Sequence, residues 1–102
     1  MVVGAPGGSR ITTGVTQVIL DVIDFHMNVQ DAVDLPRFHH QWKPDVLYLQ
    51  NGFSRQAESA LSKMGYKVQQ TKAVARVEAI VVNGSHLEGG TESHVNGKVA
   101  GY

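Results

Sequence analysis

The sequence predicts an α+β fold in which helices pack on a mainly antiparallel sheet. Three observations carry that expectation. Apolar residues from Ile11 to His26 recur at helical spacing. The run from Val77 to Val82 leads straight into Asn83-Gly84, a strong short-range hairpin signal. The remaining strand-like runs are short and bounded by Gly, Pro and Asn.

Taken in order, Val2-Val3-Gly4-Ala5 reads as a short apolar strand stopped by Pro6. Gly7-Gly8-Ser9-Arg10 then turns into the first helix, with Ile11, Val15, Val18, Ile19, Val22, Ile23 and His26 as its apolar stripe. Ser9 is its expected N-cap and Asn28 its stop. Gly14 inside that helix costs about 1 kcal/mol relative to Ala, so a tight backbone approach is the expected compensation. Residues 28–35 form a second, short helix, opened by an Asn28/Asp31 capping-box variant and ended by Pro36. Phe38 to Trp42 reads as extended, with Pro44 closing the segment, and Val46 to Leu49 as a strand. Ser54 caps a helix running through Ala57, Ala60, Leu61 and Met64, and Gly65 stops it. Tyr66 to Gln69 is a short strand, and Val77–Val82 pairs with Ser85–Glu88. Residues 1–102 make a single domain, and 89–102 a Gly-rich polar tail without periodicity.

Composition excludes several function classes. Nine basic residues balance nine acidic ones, which argues against nucleic acid, whose phosphates call for clustered positive charge. No stretch is apolar enough for a membrane span, and none is a basic amphipathic surface helix. Without cysteine there are no disulfides, thiolate metal sites or thiol nucleophiles. Val, Leu, Ile and Phe supply 28 of the 102 residues, enough for a folded core. Met1 to Gly4 has no basic-then-apolar signal-peptide pattern.

Chemistry is suggested first by Gly4-Ala5-Pro6-Gly7-Gly8-Ser9-Arg10, between a strand and a long helix. Adjacent glycines turn successive N–H groups into one concavity, and the helix N-terminus adds the positive end of its dipole. Such a site suits a phosphate, a carboxylate or the oxyanion of an acyl-transfer intermediate. The same residues also read as a plain strand-to-helix turn. Neither the Walker spacing nor the dinucleotide fingerprint is present. His39 and His40 alternate faces in an extended segment, so they do not share a metal ion and are structural or surface histidines. Asp21 and Asp24 read as solvated helix surface, and Phe38 and Trp42 as packing. No nucleophile motif such as G-x-S-x-G occurs.

Two stretches resemble signatures of the γ-glutamyltranspeptidase family: Gly4-Ala5-Pro6-Gly7-Gly8-Ser9-Arg10-Ile11, and Ala32-Val33-Asp34-Leu35-Pro36-Arg37-Phe38-His39-His40-Gln41-Trp42. Gly52-Phe53-Ser54, Met64-Gly65-Tyr66-Lys67-Val68 and Ala100-Gly101-Tyr102 extend the resemblance nearly end to end. It implies a portion of the αββα sandwich of the N-terminal-nucleophile hydrolases, made as a precursor that cleaves itself into a large and a small subunit. The small subunit's new N-terminal Thr attacks the γ-glutamyl amide of glutathione and related compounds. Water, an amino acid or a peptide then takes the glutamyl group. On this resemblance the chain is the C-terminal half of the small subunit, and Gly7 and Gly8 are the pair whose backbone N–H groups form the oxyanion hole. That favours the anion-site reading over the empty turn.

The resemblance places the nucleophilic Thr, its Thr partner and the glutamyl-holding serines and acid upstream of Met1, and the carboxylate-gripping arginine in the large subunit. Thr12 and Thr13 fall inside the first helix and match none of these. The chain alone is therefore expected to be inactive, with the large subunit and the rest of the small subunit as partners. Its uncovered apolar surfaces are expected to make it self-associate when isolated. No cofactor or metal is implied, and family members act in the periplasm or outside the cell. Where the family has Asp-x-Arg near its C-terminus, Glu92-Ser93-His94 stands here; if that pair anchors the tail, a shorter-lived Glu–His contact is expected to weaken it, with charge assistance that depends on pH. The alternative is a non-catalytic assembly or anion-binding module that reuses half of the fold.

Overall fold

The computed structural model describes residues 1–101; Tyr102, the end of the Ala100-Gly101-Tyr102 motif, lies outside the described residues. The elements run β1 (Val2–Gly4), α1 (Arg10–Ile23), α2 (Val29–Asp34), β2 (Phe38–His39), β3 (Leu47–Gln50), α3 (Arg55–Lys63), β4 (Val68–Thr71), β5 (Glu78–Asn83) and β6 (His86–Thr91). They form two three-stranded sheets, ordered β1-β5-β6 and β2-β3-β4. All pairs are antiparallel except β3 with β4, which α3 joins as a crossover.

Packing follows side-chain periodicity. In β5, Ala79 and Val81 face the helices while Glu78, Ile80 and Val82 face away. Register puts Val2 opposite Ile80 and Leu87 opposite Val82, so these four apolar residues share the uncovered face. Val2 and Leu87 are 74% and 73% exposed there. On the other face Val18 of α1 and Val29, Ala32 and Val33 of α2 close with Ala75, Val77 and Ala79 into the main core. The helix-lined face is thus filled, while the opposite face is covered only where Val99 packs on Gly89, beside Ile80. The long axis of 48 Å and the 14.5 Å radius of gyration agree, since a closed domain of this length has a radius of about 13 Å.

Several local expectations need correction. α1 stops at Ile23, and His26 sits at φ +56 in the connection to α2 rather than on the apolar stripe. The helix buries Gly14 and Val18, leaving Ile11 and Ile23 at its exposed margins. Gly14 is the close approach its cost implies: a Cβ there would lie 2.9 Å from both the Ala75 Cβ and the Val74 carbonyl oxygen. Asn28 caps α2, accepting from the Asp31 amide at 2.8 Å, and Ser54 caps α3, accepting from Ala57 at 3.1 Å. The extended Phe38–Trp42 segment shortens to β2, which ends at His39, and Trp42 takes φ +71. The strand expected at Tyr66–Gln69 begins two residues later, where pairing with β3 starts. The polar stretch from Gly89 opens inside β6. Gly90 there lets the Val29 carbonyl of α2 come within 2.9 Å of where a Cβ would sit.

Candidate functional site

The Pro6–Arg10 loop links β1 to α1 and is held from behind. The Pro6 carbonyl accepts from the Arg76 amide at 3.3 Å, and Gly7, at φ +149, packs so closely that a Cβ would stand 2.9 Å from the Ala75 Cα. Gly8 takes φ +60 with open space where a side chain would be. Their carbonyls turn inward, accepting from the Arg10 and Ile11 amides at 3.1 and 3.2 Å. Among the described residues, the Gly7 and Gly8 amides donate to no acceptor, and both residues are exposed. Two N–H groups without a partner among the described residues therefore stand at the N-terminal end of a 14-residue helix, where the helix dipole favours negative charge.

Arg10, the nearest cation in sequence, is tied down. Its Nη1 donates to Thr71 Oγ1 at 2.8 Å and to the Ala73 carbonyl at 2.7 Å, and its guanidinium lies 4.7 Å from the Tyr48 ring centre. It fastens the start of α1 to the second sheet. Ser9 holds the N-cap place but has helical backbone angles and makes no capping bond. Its hydroxyl donates instead to Gln41 Oε1 at 3.0 Å. Gln41 Oε1 also meets His39 Nε2 at 2.9 Å, and His39 Nδ1 meets Thr13 Oγ1 at 2.8 Å. His39 is 1% exposed, so the first histidine of the pair is a buried connector. His40 faces the other way, with Nε2 2.9 Å from Asp45 Oδ1. Trp42 does not pack as expected: it is 73% exposed, with Lys43 Nζ 4.5 Å from its ring centre.

A second polar cluster fixes the tail. Arg37 and Glu92 are both buried and form an ion pair. The guanidinium also donates to the Val33, Val74 and Ala75 carbonyls at 2.8, 3.0 and 3.4 Å, while Glu92 Oε1 accepts from the Val77 amide at 3.0 Å. His94 Nε2 lies 2.8 Å from Glu92 Oε2, so the expected Glu–His contact exists, but Arg37 is the main partner. Nothing local in the sequence joins Arg37 to Glu92, 55 residues apart. Asp34 accepts from the Ser93 amide at 2.7 Å and the Ser93 hydroxyl at 2.6 Å. Partial burial pushes its carboxyl up, but the bonds from Ser93 and Gln30 and the charge of His94 outweigh that and hold it below its ordinary value. On α1, burial raises the Asp21 carboxyl against the opposing pull of Arg37. Among the described residues, no three histidine, aspartate or glutamate side chains gather as a metal site. No helix of the described chain is long and apolar enough to cross a membrane.

The α+β arrangement, with helices on one face of a mainly antiparallel sheet, is part of the αββα sandwich of the N-terminal-nucleophile hydrolases. The family model of gamma-glutamyltranspeptidase matches residues 1–102, and the chain belongs to that family. Over 82 residues it is 44% identical to a glutathione hydrolase proenzyme of Escherichia coli, covering 80% of this chain and 14% of that protein. The gamma-glutamyltranspeptidase of Pseudomonas nitroreducens superposes with a TM-score of 0.91 at 34% identity, covering 99% of this chain and 54% of the other. A T380A mutant of the Helicobacter pylori enzyme gives 0.82 at 40% identity, covering 90% and 52%. The chain thus spans about one-seventh of the Escherichia coli proenzyme and about half of each of these solved chains.

Proposed function

We infer that the chain supplies the oxyanion loop of a γ-glutamyl-transferring enzyme. Gly7 and Gly8 offer their backbone N–H groups to the oxygen that becomes negative when a γ-glutamyl amide, such as that of glutathione, is attacked. The observation that carries this reading is the pair of free amides at the mouth of α1, on a loop pinned by the Pro6–Arg76 bond and the Gly7–Ala75 approach. Preorganised donors of this kind stabilise a tetrahedral intermediate without reorganising during the reaction.

The attacking group comes from another segment. Thr12 and Thr13 lie in the first turns of α1 with ordinary peptide nitrogens, and neither has the free α-amine that activates an N-terminal threonine. The chain by itself does not turn over, and its partners are the remaining small-subunit segment and the large subunit. Those partners cover the open face that carries Val2, Ile80, Val82 and Leu87.

Gly8 gives a discriminating pair of variants in an enzyme reconstituted with this chain. A side chain has room, so only the φ of +60 resists substitution. Gly8→Ala pays about 1–2 kcal/mol for that conformation and escapes by turning the amide away, while Gly8→Asn tolerates it. Turnover of γ-glutamyl-p-nitroanilide is expected to fall about a hundredfold or more in Gly8→Ala and to be largely kept in Gly8→Asn. Full turnover in a folded Gly8→Ala enzyme removes the loop from the mechanism.

A further inference from the structure

We propose that Gln41 and His39 are positioning residues for the oxyanion loop, acting through the hydroxyl of Ser9. The role rests on the reading of Gly7 and Gly8 as oxyanion donors. Its basis is a serine that occupies the N-cap place of α1 yet leaves the helix uncapped and reaches across to residue 41. Its helical backbone angles take Ser9 out of capping geometry, so the hydroxyl is left for the bond to Gln41, which ties the start of α1 to the segment after β2.

The direction of each bond in the chain is fixed by chemistry. Gln41 Nε2 donates to the Lys43 carbonyl at 2.9 Å, which turns Oε1 toward Ser9 and His39. A side-chain amide oxygen only accepts. It therefore receives the Ser9 hydroxyl proton and the proton on His39 Nε2. His39 is then the Nε2–H tautomer when neutral, and its Nδ1 accepts from Thr13 Oγ1. Tyr48 stacks on the imidazole at 6.2 Å between ring centres, holding the ring's plane. The path thus runs from Thr13, one turn into α1, through a buried imidazole and an amide, back to Ser9. It closes a polar ring around the first turn of the helix. Ser9 follows Gly8 directly, so holding its side chain restrains the Gly8–Ser9 peptide plane, whose carbonyl accepts from Ile11, and through it the adjoining glycine pair.

Two readings of one variant set test this. Ser9 and Gln41 are exposed, so Ser9→Ala and Gln41→Met leave the core intact. In the isotopically labelled chain, NMR is expected to show the Nε2–H tautomer for His39. Both substitutions are expected to move the Gly7 and Gly8 amide signals, with the double variant resembling the single ones. In the reconstituted enzyme, each single variant is expected to lower kcat for γ-glutamyl-p-nitroanilide about three- to tenfold with KM unchanged within about twofold. The double variant is expected to be no worse than the weaker single one, and Ser9→Thr, which keeps the hydroxyl, to recover wild-type kcat. An Nδ1–H tautomer, unmoved glycine amides, or single variants with wild-type kcat beside a disabled Gly8→Ala enzyme overturn the positioning role alone. An active Gly8→Ala enzyme overturns the oxyanion reading and the catalytic consequence with it.

Discussion

Removing the carboxylate of Glu92 should unfasten the chain from its C-terminal side. Glu92 is 0% exposed and Arg37 1%, so neither charge has water to fall back on. In Glu92→Ala the guanidinium keeps its three carbonyl partners but loses its counter-charge, and the Val77 amide loses its acceptor at the edge of the core. Breaking a buried pair by deleting one member costs about 3–5 kcal/mol. Single domains hold only about 5–15 kcal/mol, so this loss takes about a fifth or more of the stability. Glu92→Gln keeps an oxygen for Arg37 and Val77 and forfeits only the charge assistance, about 1–3 kcal/mol. Urea unfolding of the dilute chain, followed by far-ultraviolet circular dichroism, measures both. With a slope of about 1–3 kcal/mol per molar, Glu92→Ala moves the midpoint by about 1 M or more, with Glu92→Gln between it and wild type. A Glu92→Ala midpoint within about 0.2 M of wild type refutes the reasoning, and so does a Gln variant no better than Ala.

Gly14→Ala gains about 0.8–1 kcal/mol of helix propensity but forces a methyl to 2.9 Å from the Val74 carbonyl; overpacking costs about 1–3 kcal/mol, so thermal melting should show net destabilisation. The two perturbed carboxylates run in opposite senses with pH. Asp34, lowered in the folded chain, stabilises the tail at every pH above about 4 and loses that contribution as pH falls through its folded value, so the Ser93 amide signal should titrate below the range of a free Asp. Asp21, raised, carries a penalty at neutral pH that protonation removes, so Asp21→Asn should raise the urea midpoint at pH 7 and have less effect near pH 3. The uncovered face predicts oligomers of the isolated chain by light scattering, and Ile80→Lys with Leu87→Glu should shift it toward monomer.

Local signals carried most of the fold. The Asn28/Asp31 and Ser54/Ala57 caps, the Gly65 stop and the Asn83-Gly84 hairpin fall where the sequence puts them, because each is decided within a few residues. The close approach at Gly14 was legible too, since a buried helix glycine has few other uses. Tertiary choices were not. Ser9 has the residue type of an N-cap, but its backbone is already helical and its hydroxyl bonds Gln41, 32 positions away. Trp42 carries the composition of a core residue, but its left-handed backbone turns it out to solvent. The division into two sheets, with β3 and β4 parallel, is invisible in runs of four residues that read alike in either pairing. The strand-to-helix turn at Gly7-Gly8 was legible from its glycines and the helix that follows, while its reading as an anion site came from the family resemblance. The ring of Ser9, Gln41, His39 and Thr13 behind it had no sequence signal beyond lying within or beside two family motifs.

The central claim, that this chain brings the oxyanion loop to an active site whose nucleophile lies elsewhere, is tested most directly by complementation. The purified chain is assayed for release of p-nitroaniline from γ-glutamyl-p-nitroanilide, alone and with the remaining γ-glutamyltranspeptidase segments added in trans. The account predicts no release from the chain alone and clear release on complementation, lost again with Gly8→Ala. Turnover by the chain alone contradicts the assignment of the nucleophile. Silence on complementation, with every piece shown to be folded, contradicts the catalytic role and moves the chain to a non-catalytic module.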